Sequence, residues 1–396
     1  MRTVEPATVE EVAELLAAAT RSNQRIVIRG GGTTGDRSSA PDGDILLTTT
    51  RLNRVLAHRH GDLTATVEAG AVLDDVNRVL ARQGQWIPLD PPRSDRATIG
   101  GIVATNDSGP RRHRYGAPRD LIIGVEIARA DGVRAKAGGI VVKNVAGYDV
   151  ARLMAGSYGC LGVILNATFK LYPRPTTSAT VVAENISPSS AGAIVAAIDQ
   201  NQLTPTAIEI QTAEVKSPRL LIRFESIEAS IEQQSANAVR LAAAHGTRTM
   251  ILRGDDEERE WSSHRGRPWG GPGAVAKITC LPTDVPATLE ALGVLGTSTG
   301  AAAGERCAEA IGRASVGVLL ARFDGELKSQ SRAIEALRRR NAPGRGSVVL
   351  LRASDDLEAA VGRWGPLGDA FDIMRSLKRT FDPTGTLNPG RGPGGL

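Results

Sequence analysis

Ile26-Val27-Ile28-Arg29-Gly30-Gly31-Gly32-Thr33-Thr34-Gly35-Asp36-Arg37-Ser38-Ser39-Ala40-Pro41-Asp42-Gly43 is the stretch on which the fold turns. Ile26–Arg29 reads as a strand, and Gly30 to Gly35 then match G-x-G-x-x-G, the dinucleotide pattern. That pattern works only where a helix follows and sets its N-terminus against a pyrophosphate. Asp36 to Gly43, with Pro41 and two serines, is not a helix. The acidic residue due about 20 positions on is replaced by Thr48-Thr49-Thr50-Arg51. A doubly wound nucleotide fold is therefore excluded. What survives is a strand running into glycines and hydroxyls, whose successive N–H groups can make a nest for phosphate oxygens.

Two further glycine segments follow. Asp90-Pro91-Pro92 leads to Ala97-Thr98-Ile99-Gly100-Gly101 and Asn106-Asp107-Ser108-Gly109, where paired glycines allow close backbone approach and the polar side chains offer neutral hydrogen bonds. Gly156-Ser157-Tyr158-Gly159-Cys160-Leu161-Gly162-Val163-Ile164 spaces three glycines by three residues before a strand. Residues 100–162 hold twelve of the 44 glycines, whereas residues 163–245 hold only Gly192. The change falls near Pro173–Pro175, where we place a boundary.

Before it, helices are read at Thr8–Ala19, opened by a Thr8/Glu11 capping box, and at Leu73–Arg82. Strands are read at Asp44–Leu47, Leu63–Glu68, Leu121–Arg129 and Gly162–Tyr172. Beyond it, strands at 179–183, 207–211, 219–224, 275–281, 316–323 and 347–351 alternate with helices at 188–200, 227–245, 285–295 and 327–340. This pattern predicts an α+β layer with helices on one face of an antiparallel sheet. A last helix spans Asp369–Lys378, and no internal repeat is visible.

The 396 residues suggest two domains, perhaps three. No apolar run approaches the ~18–20 residues of a membrane span, and no signal peptide is visible at the N-terminus. Cys160, Cys280 and Cys307 are too dispersed for a disulfide framework or a cluster of four thiolates, so a cytoplasmic setting is expected. The net charge of +5 comes mainly from scattered arginines, with only five Phe, four Tyr and four Trp, a poor match to nucleic-acid binding. The dense patch Arg111-Arg112-His113-Arg114 reads as a solvated turn with an open question attached.

The order of the glycine segments resembles the FAD-binding domain of the vanillyl-alcohol oxidase and p-cresol methylhydroxylase (PCMH) superfamily. Gly109-Pro110-Arg111-Arg112, Val142-Lys143-Asn144-Val145-Ala146-Gly147-Tyr148-Asp149 and the C-terminal Phe381-Asp382-Pro383…Leu387-Asn388-Pro389-Gly390-Arg391 are more specific. They are similar to the small FAD-binding subunit of bacterial glycolate oxidase. The resemblance implies a two-subdomain PCMH-type FAD-binding domain at 1–175 and an α+β cap at 176–352, with residues 353–396 returning to the first domain. It further implies that Gly30, Gly31, Gly32, Thr33 and Thr34 line the flavin pyrophosphate. Pro91, Thr98, Ile99, Gly100, Gly101, Asn106, Ser108 and Gly109 would follow the cofactor, with Gly159, Gly162 and Ile164 on another side and Asn388 near the ring. Thr33 stands where many relatives attach flavin through His, which predicts non-covalent FAD.

The implied activity is oxidation of a small 2-hydroxy acid, with electrons passed to a larger flavin subunit and an iron–sulfur subunit. Attachment to the inner membrane would then come through those partners. The alternatives are a self-sufficient oxidoreductase for another hydroxy acid, or a structural subunit that binds FAD without turnover. Such an oxidation needs a proton acceptor, a hydride acceptor and a cation for the carboxylate. Tyr148, Lys143 and Arg112 are the candidates, each with a structural alternative as a core or surface side chain. Larger members carry a His-rich metal cluster; the five histidines here do not group, so no metal is expected. Trp261 to Gly271, with two of the four Trp, reads as a polar loop that anchors a partner or covers a substrate pocket.

Overall fold

The structure is a computed structural model that describes residues 1–33, 43–140, 147–213, 218–297, 306–341 and 344–396. The helix Val9–Arg21 opens on Thr8, whose hydroxyl accepts from the Glu11 N–H at 3.2 Å. The Glu11 carboxylate reaches back to the Ala7 N–H at 2.7 Å, one residue short of a regular capping box. Val12, Leu16 and Ala19 recur at helical spacing and are buried on a small parallel sheet ordered Arg2–Val4, Ile45–Thr48, Ile26–Arg29.

A five-stranded antiparallel sheet follows, ordered Val55–Arg59, Thr64–Glu68, Val163–Lys170, Ile122–Ala128, Arg134–Gly138. The helices Leu73–Leu80, Ile99–Thr105 and Val150–Met154 bury their apolar residues against it. The Tyr-Pro-Arg-Pro segment after the last Gly-rich strand is not wholly irregular, since Tyr172–Pro173 pairs antiparallel with Gln85–Trp86.

Residues beyond 176 build one eight-stranded sheet, antiparallel throughout. Its order is Arg248–Leu252, Thr177–Glu184, Arg219–Ser226, Ala207–Ala213, Arg306–Arg313, Val318–Asp324, Ala274–Cys280, Gly346–Arg352. Read along the chain, residues 177–252 and 274–352 are each strand-helix-strand-strand-helix-strand, a ferredoxin-like unit. The two units meet through Ala207–Ala213 and Arg306–Arg313, their second strands. An internal repeat is thus present that residue patterns do not display, because the two halves share topology rather than side chains.

Helices Pro188–Gln200, Glu228–Ala243, Val285–Thr297 and Leu327–Arg340 cover one face of this sheet, as the alternation predicts. The Trp-containing segment differs from expectation. Residues Gly254–Gly266 are a helix, and Trp261 is 1% exposed, packed with Val182, Ala207 and Leu221. Its Nε1 donates to Thr180 Oγ1 at 2.8 Å, and that hydroxyl donates to Glu257 Oε1 at 2.8 Å. A run so rich in acids and arginines hides its single inward face from a composition reading. Trp261→Phe should keep the ring and lose the donor, costing about 1–3 kcal/mol. A urea unfolding curve shifted by less than 0.5 kcal/mol would show that the bond contributes little.

Candidate active site: a glycine-lined groove and an adjoining polar cavity

The parallel sheet positions the first glycine segment. Ile26–Arg29 pairs with Ile45–Thr48 on one side, and on the other it takes the C-terminal chain as an added strand. Ile26 N–H donates to Thr386 O at 2.7 Å, and Asn388 N–H returns to Ile26 O at 2.8 Å. The Asn388 side chain then spans two loops, its Oδ1 accepting from Ile28 N–H at 2.7 Å and its Nδ2 donating to Tyr158 O at 2.6 Å. Behind it Lys378 Nζ is buried and donates to Cys160 O at 2.9 Å, Leu387 O at 2.9 Å and Asp382 Oδ2 at 2.6 Å.

These contacts frame a groove of about 890 Å³, partly open to solvent. It is lined by Gly30, Gly31, Gly32, Thr33, Thr98, Gly100, Gly101, Gly159, Gly162, Ile164 and Asn388, all among the residues that the resemblance implies. Sequence reasoning missed Val27, Ile28, Arg29, Thr49, Ala69, Ala104, Thr105, Tyr158 and Arg391. For Arg391 the signal was available, since it directly follows the Asn-Pro-Gly turn.

Other expected residues lie elsewhere. Ile99 is buried in the core beneath the five-stranded sheet, and Pro91 is buried outside the groove lining. Asn106, at φ 49°, accepts from Arg119 N–H at 3.2 Å, and Ser108 offers its carbonyl to Arg313. Gly109 is glycine for packing, because a Cβ there would stand 1.9 Å from Asp90 O. Tyr148 is 95% exposed and does not line the groove, which removes it as a flavin contact. Thr34 and Lys143 lie outside the described residues.

The groove suits a flavin dinucleotide. Gly31 N–H donates to Thr98 Oγ1 at 3.3 Å, but among the described residues no protein atom accepts from the N–H groups of Gly30, Gly32 or Thr33. These half-buried donors line the groove and are available to an external acceptor such as a pyrophosphate. The described lining contains Arg29 and Arg391 and no carboxylate, the balance a pyrophosphate requires.

At Thr105, Tyr158 and Arg391 the groove adjoins a second cavity, also lined by Asp107, Lys277, Val349 to Leu351, Arg363 and Trp364. Trp364 stacks edge-on against Tyr158 at 5.0 Å, and its buried indole Nε1 has no hydrogen-bond partner among the described residues. Burial pushes the Lys277 ammonium below its ordinary pKa; Asp107 opposes this, while Arg313 and Arg112 add to it. Arg112 thus faces the same region through its charge, though it does not line the cavity. Its own pKa is lowered by burial and by Arg313.

The arginine-rich patch is a clamp rather than a solvated turn. Arg111 pairs with Glu225 at 2.8 Å and lies over the Trp86 ring at 4.5 Å. Burial disfavours both charges, yet their mutual attraction holds Arg111 above its ordinary pKa and Glu225 below. His113 Nδ1 meets Ser315 Oγ at 2.6 Å, and Arg114 donates to Thr204 O at 3.2 Å. From the other side, Arg313 donates to the carbonyls of Ser108 and Gly109.

Asp90 sits inside this clamp, its carboxylate accepting from Arg111 N–H at 3.0 Å, and burial raises its pKa from 3.8 to about 6. A folded-state value above the unfolded one means that this carboxyl's contribution to stability is greatest below pH 4 and is lost as pH rises through 6. Asp90→Asn should remove this contribution, on the order of 3 kcal/mol, and flatten stability between pH 4 and 6. Urea midpoints across that range would test it, and an unchanged slope would refute it.

Comparison with known proteins fits this geometry. Residues 2–138 match the model of an FAD binding domain, and residues 366–391 match the C-terminal domain of FAD linked oxidases. The chain thus carries an FAD binding domain and, near residue 380, a segment of the FAD linked oxidase C-terminal type. These two domains indicate FAD as the cofactor.

The chain is 33% identical over 246 residues to the glycolate oxidase subunit GlcD of Bacillus subtilis, covering 61% of the chain and 51% of that protein. It is 44% identical over 118 residues to subunit GlcE of Escherichia coli, covering 30% and 34%. A mitochondrial D-lactate dehydrogenase [cytochrome] of Arabidopsis thaliana is 28% identical, covering 98% and 72%. The match therefore spans about half of the first relative and a third of the second. Among solved structures, alkyldihydroxyacetonephosphate synthase shares the fold, with a TM-score of 0.72 at 18% identity, covering 98% of the chain and 75% of that structure. No helix among the described residues is long and apolar enough to cross a membrane.

Proposed function

We propose that this chain is an FAD-linked oxidase that oxidises a small 2-hydroxy acid as the FAD-binding subunit of a glycolate oxidase-like dehydrogenase complex. The observation that carries the reading is the junction at Thr105, Tyr158 and Arg391, where the glycine groove adjoins a cavity lined by Lys277, Arg363 and Arg391 together with Asp107. Gly30 to Thr33, Gly100, Gly101, Gly159, Gly162 and Asn388 would hold the dinucleotide, with residues 1–175 as flavin domain, 176–352 as cap and 353–396 as the returning segment. Bound flavin supplies the two-electron acceptor. Arg391 and Arg363 offer guanidinium groups to the substrate carboxylate, and Trp364 contributes an indole donor that has no acceptor among the described residues. The relatives named as glycolate oxidase subunits support membership of a complex, and a larger flavin subunit and an iron–sulfur subunit are the electron-accepting partners we propose for it.

Thr33 offers no imidazole for attachment, so the FAD is expected to be released intact by acid precipitation. The decisive experiment is anaerobic addition of glycolate or D-lactate to the purified chain, followed at the flavin absorbance, beside co-purification from the native host. Bleaching that needs co-purified subunits supports the complex. Bleaching by the lone chain shows a self-sufficient enzyme, and a yellow protein that no hydroxy acid reduces in either state is a structural flavoprotein.

A further inference from the structure

Lys277 stands in the middle of the strand Ala274–Cys280, whose Ala276 and Ile278 are buried beneath the helices of the sheet. The two-residue alternation of a strand turns Lys277 to the opposite face, where it lines the cavity beside the groove. Among the described residues it has no hydrogen-bond acceptor and no ion-pair partner. Its charged surroundings are Asp107 from the flavin side, Arg313 from a neighbouring part of the sheet, Arg112 from the clamp helix, and Arg363 and Arg391 across the cavity.

Other ionisable side chains line this cavity beside Lys277. Arg363 donates to Leu350 O at 3.3 Å and pairs with Glu358, and a guanidinium does not deprotonate. Asp107 accepts from the Ser108 N–H at 3.1 Å. Described histidines lie elsewhere: His58 on Gln85, His113 on Ser315 and His264 between Glu209 and Gln211.

We propose that Lys277 is the general base that takes the hydroxyl proton of the substrate. The assignment rests on the oxidoreductase reading above. In the step, the substrate O–H bond breaks towards the neutral Nζ, whose lone pair becomes the new N–H bond. The C2–H bond breaks with its electron pair leaving as hydride to the two-electron acceptor, and a C=O bond forms. The hydroxy acid is oxidised to the 2-oxo acid, and the neutral amine becomes ammonium. Burial among cations favours the neutral amine that this role needs, and carboxylate binding is left to the permanent guanidinium charges.

Because the neutral amine is the active form, kcat/KM should rise with pH to a plateau whose midpoint lies below that of an ordinary lysine, about 10.4. Lys277→Met and Lys277→Arg should both lose about 10²–10⁴-fold in kcat. Both should keep wild-type flavin content and substrate KM and lose that limb of the pH profile. Small primary amines should restore part of the activity of Lys277→Ala. A mere carboxylate-holding cation would instead survive as arginine and would show its loss in KM, so an active Lys277→Arg overturns the proposal.

A second readout does not use activity. In the flavin-loaded protein, the pH dependence of Lys277 acylation, read by peptide mass spectrometry, should have a midpoint below the ordinary value. An ordinary midpoint overturns the assignment. A wild-type protein that binds flavin but is reduced by no hydroxy acid, alone or with partners, defeats the oxidoreductase reading itself and the base with it.

Discussion

Replacing Lys378 by Met is expected to lower the unfolding free energy by about 3–5 kcal/mol and to strip the protein of flavin. The ammonium is buried, with three oxygens around it, and its carboxylate partner Asp382 is 2% exposed. Removing the cation leaves a buried anion that still has to accept from the N–H groups of Thr386 and Leu387, at 2.9 and 2.8 Å. Those residues lead directly into Asn388, so the strand added to Ile26 loosens along with the turn. Urea unfolding and flavin absorbance per protein read the two effects. The double change Lys378→Met with Asp382→Asn should recover part of the stability, because the uncompensated charge is gone. A single variant within 1 kcal/mol of wild type that retains its FAD would refute the account.

The second large effect separates cofactor loss from unfolding. Gly101 lies in the helix Ile99–Thr105 and lines the groove; a Cβ there would meet only Thr98 Oγ1, at 3.2 Å. Gly31 is different, since a Cβ would stand 1.8 Å from the Arg96 carbonyl. Gly101→Leu should therefore keep or slightly raise the stability of the flavin-free protein, helix propensity favouring Leu over Gly by up to about 1 kcal/mol. It should weaken FAD binding by more than about 100-fold, some 3 kcal/mol, by placing four carbons where the dinucleotide lies. Gly31→Ala should damage fold and binding together. Retained flavin in Gly101→Leu would mean that the groove does not hold the cofactor along this wall.

Much of this architecture is legible from residue order alone. The paired helices and strands after residue 176 follow from hydrophobic periodicity, and the groove follows from where the glycines fall. What escapes is whatever depends on long-range pairing. Val55–Arg59, Arg134–Gly138 and Arg248–Leu252 are short strands with exposed or charged positions, and only their neighbours define them. Lys277 was visible as a lysine inside an apolar strand, but its meaning depends on which face the sheet turns towards the groove. Arg111 could be a surface charge or a buried partner, and the deciding fact is Glu225, 114 residues away. Tyr148 shows the converse error, an aromatic in a recognised motif that the fold leaves in solvent.

The strand added to Ile26 also constrains when the protein can become active. Ile28 and Asn388 are 360 residues apart, so one wall of the flavin groove is synthesised long after the other. During translation the glycine loop has an open edge, which the nascent chain must keep from pairing wrongly until residues 386–388 have left the ribosome. A flavin site that needs the Asn388 wall cannot be complete before residues 386–388 have been made.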